Sequence, residues 1–205
     1  MDLVAQMRYR AYRSVHAVRE TANARFTDVF DGQPEARTFL AWWGQTALAS
    51  TRTLCARGDL GALTSALAFR DVLKRWIPDD AVVVEANRFV VDPHHAELST
   101  SVVWPLFRAH LLRCAVEGAD FFVAGVRPEH VPVYRRLMHL EIVGDARIFP
   151  GLRTPMYLMM GDCRRDLERI FRERPYLRCS PEETTLLFGE VSRVQPDHPH
   201  ARPGL

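Results

Sequence analysis

A strand, a stop, a long helix and a second strand follow one another between residues 81 and 126, and this run constrains the fold more than any other part of the chain. Residues 81–91 read Ala-Val-Val-Val-Glu-Ala-Asn-Arg-Phe-Val-Val, the stretch richest in β-formers, and Pro93 closes it. Val103, Leu106, Phe107, His110, Leu111 and Cys114 then share one helical face, with Gly118 just past its end. Residues 121–126 form a short, unbroken apolar run, the pattern of a strand covered on both sides. Strands linked by a helix argue for one α/β sheet flanked by helices.

The flanking segments fit that plan. Residues 4–19 read as a helix, although Arg8, Arg10 and Arg13 blur its periodicity. Residues 39–43 and 47–55 read as strands around Gly44-Gln45-Thr46. Phe69, Val72, Leu73, Trp76 and Ile77 make a helical stripe that Pro78 stops. Residues 131–140 suggest a short helix, and 142–160 two strands around Pro150-Gly151. Ser180-Pro181-Glu182-Glu183 is a capping box that starts a last helix. The expected organisation is one domain over 1–191, with core 8–160 and C-terminal helices 162–191, and then a flexible tail, 192–205.

Composition excludes several classes. Hydrophobic residues make 47% and charged residues 25% of the chain, as in a globular protein. The net charge of +2 gives no global field for nucleic acid, so no nucleic-acid partner is expected. No apolar run reaches the ~20 residues of a membrane span and the start lacks a signal-peptide pattern. A cytoplasmic location is therefore expected, with membrane contact peripheral only. Lys74 is the one lysine among 27 basic residues; codon bias explains that more simply, although arginine also suits forked recognition of carboxylate and phosphate. Cys55, Cys114, Cys163 and Cys179 form no Cys-x-x-Cys pair, and His94-His95 lacks further ligands, so no metal site is expected.

The segment 85–160 resembles the Gcn5-related acyltransferase fold: a mixed central sheet with a splayed strand pair, a cofactor-binding helix and a short helix carrying Tyr134. A further ordered set narrows this. It comprises Arg8-x-x-x-Tyr12, Asp28-x-x-Asp31, Arg52 on a strand, Phe69 on the next helix, and Glu85-x-x-Arg88-Phe89. The set is similar to that of the acyl-homoserine-lactone synthases and N-acyl amino acid synthases. Residues 126–137 and 149–155 look more like the second branch. Three departures stand out: the chain starts almost at the Arg8 helix, so that the family's first strand is expected to be missing or very short, Met138-His139 replaces the usual Gly-Phe, and the loop 93–101 has no glycine.

The resemblance implies an N-acyltransferase that moves a medium or long acyl chain from acyl-carrier protein to an amino acid-like amine. No cofactor is implied to bind tightly. Acyl-carrier protein, or acyl-coenzyme A, serves as co-substrate, and the glycine-free loop suits the carrier's single phosphodiester. The rival readings are a lactone synthase using S-adenosylmethionine and a non-catalytic acyl-binding relative. Glu85 is the candidate general base, or else a structural partner of an arginine; Tyr134 is the candidate acid for the leaving thiol, or else a packed ring with its hydroxyl satisfied. Arg8, Asp28, Asp31, Arg52, Arg88 and Phe89 are implied to bind the acceptor, the aspartates drawing its ammonium and an arginine its carboxylate. Val91, Ser99, Thr100 and Ser101 are implied to hold the thioester arm.

Strict alternation would put Glu85 and Arg88 on opposite faces. One shared site therefore needs a β-bulge near Ala86-Asn87, after which Arg88 could hold Glu85 ionised. Trp42, Trp43, Phe69, Trp76, Phe107 and Phe122 are expected in the core or along an acyl tunnel. Arg108, Arg113, Arg135 and Arg136 are expected either to dock an acidic carrier or to lie on solvated helix faces.

Overall fold

The computed structural model describes residues 1–189, so the expected tail lies outside the described residues. The elements run α1 (Asp2–Ser14), β1 (Arg37–Trp43), β2 (Thr46–Arg57), α2 (Ala66–Trp76), β3 (Val82–Val91), α3 (Ser99–Glu117), β4 (Phe121–Val126), α4 (Val131–Met138), β5 (Glu141–Ile142), β6 (Arg147–Ile148), β7 (Pro155–Asp162), α5 (Cys163–Glu173) and α6 (Pro181–Phe188). One sheet runs β1-β2-β3-β4-β7-β5, with β6 also on β7. Every pairing is antiparallel except β3 with β4, the pair that α3 connects. This is a mixed sheet with helices on both faces, the Gcn5-related architecture.

Alternation along β3 sorts the core. Val83 joins Leu54, Phe69, Val72, Leu73, Val123 and Leu158 on the α2 face. Val84 and Ala86 join Phe107, Leu111, Phe122, Leu137 and Ile170 on the opposite face, under α3, α4 and α5. β3 and β4 pair only from Val83↔Phe121 to Ala86↔Ala124. Beyond that point β3 continues to Val91 and β4 to Val126 without pairing to each other, so the two strands part, while β4 stays paired with β7 along its whole length.

Several expectations need correction. α1 ends at Ser14, not 19, because the chain turns back and Ala17 N donates to Tyr12 O. Residues 142–160 hold most of three strands, two of them two residues long. Trp42, Trp43 and Trp76 are exposed, so neither core nor tunnel contains them; Phe69, Phe107 and Phe122 are buried as expected. His139 adopts φ +53 as the left-handed cap of α4, so the turn survives without the usual glycine. Among the described residues, no helix is long and apolar enough to cross a membrane and no group of three or more His, Cys, Asp or Glu side chains could hold a metal ion.

Candidate active site

The expected bulge exists, two residues further along. Arg52 pairs with Asn87 and Ser50 with Val90, so Thr51 alone faces Arg88 and Phe89. Arg88 takes φ +53, a conformation that costs a non-glycine residue about 1–2 kcal/mol. The extra residue turns Arg88 onto the face that already carries Glu85 and Asn87. Phe89 then points to the α3 face, against Phe107 at 5.3 Å and His110 at 5.7 Å, away from the other candidate acceptor residues.

Five of the candidate residues converge beside α1. Arg52 donates to Asp28 (2.6 and 3.0 Å), Asp31 (2.7 Å), Asn87 Oδ1 (2.8 Å) and Thr64 Oγ1 (3.2 Å). Arg88 donates twice to Asp28 Oδ2, at 2.9 and 2.6 Å, and its guanidinium lies 4.8 Å from the centre of the Phe26 ring. Arg8, fully buried, donates to Asp31 at 2.7 Å and leaves Nε and a second terminal nitrogen without a partner. Asp28 and Asp31 cap the short 3-10 turn Val29–Gly32 reciprocally, which fixes both carboxylates.

These bonds correct the assignment of ammonium attraction to the aspartates. Three guanidiniums meet two aspartates, so the cluster carries an excess positive charge and its acids are spent on arginines. Burial would raise the Asp28 carboxyl, yet Arg52 and Arg88 hold it down at about 2.

Glu85 stands beside this network without entering an ion pair. Its two oxygens accept from Ser65 N–H at 3.1 and 3.2 Å. Burial pushes its carboxyl up to about 7, against the lowering effect of Ser65, Asn87 and the Arg52 charge. Arg88 does not hold it ionised, because Arg88 is taken by Asp28, and Glu85 is not the structural partner of any arginine. Ser65, Thr64 and Asn87 are polar neighbours that the sequence reading did not single out; Asn87 was visible inside the Glu-x-x-Arg-Phe motif.

Tyr134 lies on the other face of the sheet. Its ring meets Phe107 edge-on at 5.0 Å, and burial raises its hydroxyl well above the usual phenol range. That hydroxyl has no hydrogen bond to protein among the described residues, contrary to a locally satisfied ring. His110 is wholly buried among Phe89, Phe107 and Phe122. Thr51 Oγ1 donates to the Asn87 carbonyl (3.2 Å), so the 2.8 Å contact makes His110 Nε2 the donor to Thr51. The imidazole is neutral, its pKa lowered by burial to about 3, and Nδ1 has no partner.

The candidate arm residues sit where the strands part. Val91 ends β3 and packs beside Val102 and Leu106; Ser99, Thr100 and Ser101 form the first turn of α3. Residues 93–98, expected as loop, form a 3-10 helix, with Asp92 accepting from His94 N. The apolar cavity between α3, β4, α4 and α5 is about 20 Å³, room for about one water-sized group, so an acyl chain there would have to displace side chains. Arg108 is bound by Glu183, Arg135 by Glu141, and Arg113 is buried against Glu117, which leaves only Arg136 of the four expected docking arginines unpaired.

Comparison with known proteins follows the same lines. A family model described as N-acyl amino acid synthase FeeM matches residues 4–162. The solved structure of FeeM, an N-acyl amino acid synthase from uncultured soil microbes, superposes with TM-score 0.67 at 16% identity, covering 80% of this chain and 91% of that one. TofI, in a ternary complex with an inhibitor and MTA, gives 0.62 at 18% identity over 86% and 91%. BjaI, a CoA-dependent acyl-homoserine lactone synthase with MTA, gives 0.61 at 16% over 84% and 80%. These likenesses concern the fold. No curated protein matches the chain significantly.

Proposed function

Because the chain belongs to the N-acyl amino acid synthase FeeM family and is an acyltransferase, we propose that it transfers a medium or long acyl chain from acyl-carrier protein to the amine of an amino acid-like acceptor. The observation that carries this reading is the bulge at Arg88. It gathers an unpaired carboxyl of pKa about 7 and an arginine-rich cluster on one face of β3.

The chemistry divides between the faces. Glu85, ionised in part at neutral pH, takes a proton from the acceptor's ammonium, directly or through water, a role that contributes ~10²–10⁴-fold in rate. The freed amine attacks the thioester carbon, and the carbonyl oxygen becomes an oxyanion. Backbone N–H groups at the bulge are the proposed donors to it, each such donor typically worth about 3–4 kcal/mol of barrier. Collapse breaks the C–S bond, and the nitrogen gives up its second proton to solvent. The departing thiolate takes a proton from Tyr134, which regains one from solvent, or from solvent directly, since a thiol of pKa about 8.5 leaves readily. Arg8, Asp28, Asp31, Arg52 and Arg88 shape the acceptor side. The arm would enter between the parted strands, along Val91 and the first turn of α3 with Ser99, Thr100 and Ser101. Phe89 would face the acyl side rather than the acceptor.

A CoA-dependent synthase shares this fold, so the donor is decided by assay. Thiol release from octanoyl-, dodecanoyl- and hexadecanoyl-carrier protein, and from the matching coenzyme A thioesters, is measured with mixed amino acids, and products are identified by mass. A base-stable N-acyl amino acid formed from the carrier protein supports the reading. A base-labile lactone formed with S-adenosylmethionine, or binding without acceptor-dependent release, would overturn it.

A further inference from the structure

A second feature lies one side chain from Arg88. Phe26, whose ring receives the Arg88 guanidinium, also lines a surface cavity of about 310 Å³ with Tyr9, Val18, Leu152, Arg19, Arg25 and Arg153. The two walls are tied together, since Arg153 N donates to Ala17 O at 2.9 Å. Thr21 N donates to the Tyr9 hydroxyl at 3.1 Å and holds the loop against α1.

The three arginines differ in occupation. Arg25 is neutralised by Asp2. The side chains of Arg19 and Arg153 have no hydrogen bond or ion pair among the described residues. No acidic residue lines the cavity, and the nearby cluster adds its own excess positive charge. Two free guanidiniums at the mouth of an apolar-floored cavity match two carboxylates, each held in a fork.

Resting on the acyl-transfer reading, we infer that this cavity is the acceptor's anion subsite and that Arg19 and Arg153 select an amine with two carboxylates, an α-amino dicarboxylate. The same charges disfavour S-adenosylmethionine, whose sulfonium and ammonium make it a net cation. A zwitterion with one carboxylate leaves one guanidinium unmatched. The amine then lies on the Phe26 side, towards Arg88 and the Glu85 face.

The test uses the full chain with dodecanoyl-carrier protein and three acceptors: glutamate, leucine and S-adenosylmethionine. The wild type should prefer glutamate. Arg19→Gln and Arg153→Gln should each raise its KM about tenfold, the double variant more, with kcat within about threefold. Leucine, whose single carboxylate needs one guanidinium, should lose less in each single variant, and the double variant should no longer prefer glutamate over leucine. Glutamate KM should also climb with salt. Both arginines are exposed and unpaired, so Tm should stay constant and keep the comparison valid. Calorimetric titration of glutamate without donor reads the cavity separately and should be weakened by the double variant. Equal KM for leucine and glutamate, or KM and calorimetric affinity for glutamate unchanged in the double variant, would overturn the inference while leaving acyl transfer intact. Glutamate binding that depends on both arginines, without any acylated product, would sustain the subsite and defeat the acyl-transfer reading.

Discussion

On the α1 side of β3, Asn87 and Arg88 join Arg8, Arg52, Asp28 and Asp31 in a network where the aspartates are saturated by guanidiniums. On the α3 side of the same strand, Phe89 meets Phe107 and His110, and the one buried imidazole keeps a nitrogen unpartnered. The first face spends polar groups on one another to hold a strained arginine. The second offers an apolar bed with little polar structure. A single extra residue at Arg88–Phe89 separates them. Charge chemistry and acyl packing can therefore share one strand without sharing a dielectric environment.

Removing a member of the network should cost most. Asp28→Asn strips the carboxylate from Arg88 and one of two from Arg52, both buried, so unfolding in denaturant should show a loss of about 3–5 kcal/mol. A loss under about 1 kcal/mol would mean that the network does not hold the bulge.

The two acids also predict opposite pH behaviour. Asp28 has a folded pKa of about 2 against an ordinary 3.8, so its contribution is present above pH 4 and disappears as pH falls towards 2. Glu85 has a folded pKa of about 7 against 4.5, so the folded state keeps a proton that the unfolded chain has released. Its burial therefore costs stability as pH rises from 4.5 through 7, reaching roughly 3 kcal/mol above that range. Glu85→Gln should be the more stable protein at pH 8 and nearly equal to wild type at pH 4.5, as denaturation curves at both values will show.

A smaller effect belongs to the tie between the faces. Thr51→Val deprives the Asn87 carbonyl and His110 Nε2 of their partner, an expected cost of about 1–3 kcal/mol. Thr51→Ser keeps the hydroxyl and should recover most of it in the same melts. The smallest effect lies at the surface, where Arg147→Ala removes a solvent-screened pair with Asp71 and a bond to Ala68 O and should shift the denaturation midpoint least of these changes.

The order of elements was legible because local signals agreed with one another: β-formers closed by Pro93, the apolar face of α3 ended by Gly118 at φ +61, and the box at Ser180 that caps α6. The need for a bulge was legible too, from the parity of Glu85 and Arg88. Its position was not, since Arg88 adopts φ +53 only because Asp28 and Phe26 hold it there from distant segments. Partnering was equally hidden. Nothing local says that Arg108 is held by Glu183, that Trp76 faces solvent at the end of an apolar stripe, or that Glu85 meets Ser65 N–H instead of an arginine.

The most direct measurement is the pH–rate profile of Glu85→Gln beside wild type, with Tm taken on the same preparations. With Glu85 as base, wild-type kcat/KM rises with pH to an inflection near 7. The variant loses that limb and falls by ~10²-fold or more, with Tm equal or higher. A folded Glu85→Gln protein that keeps near-normal turnover and the same inflection would contradict the account.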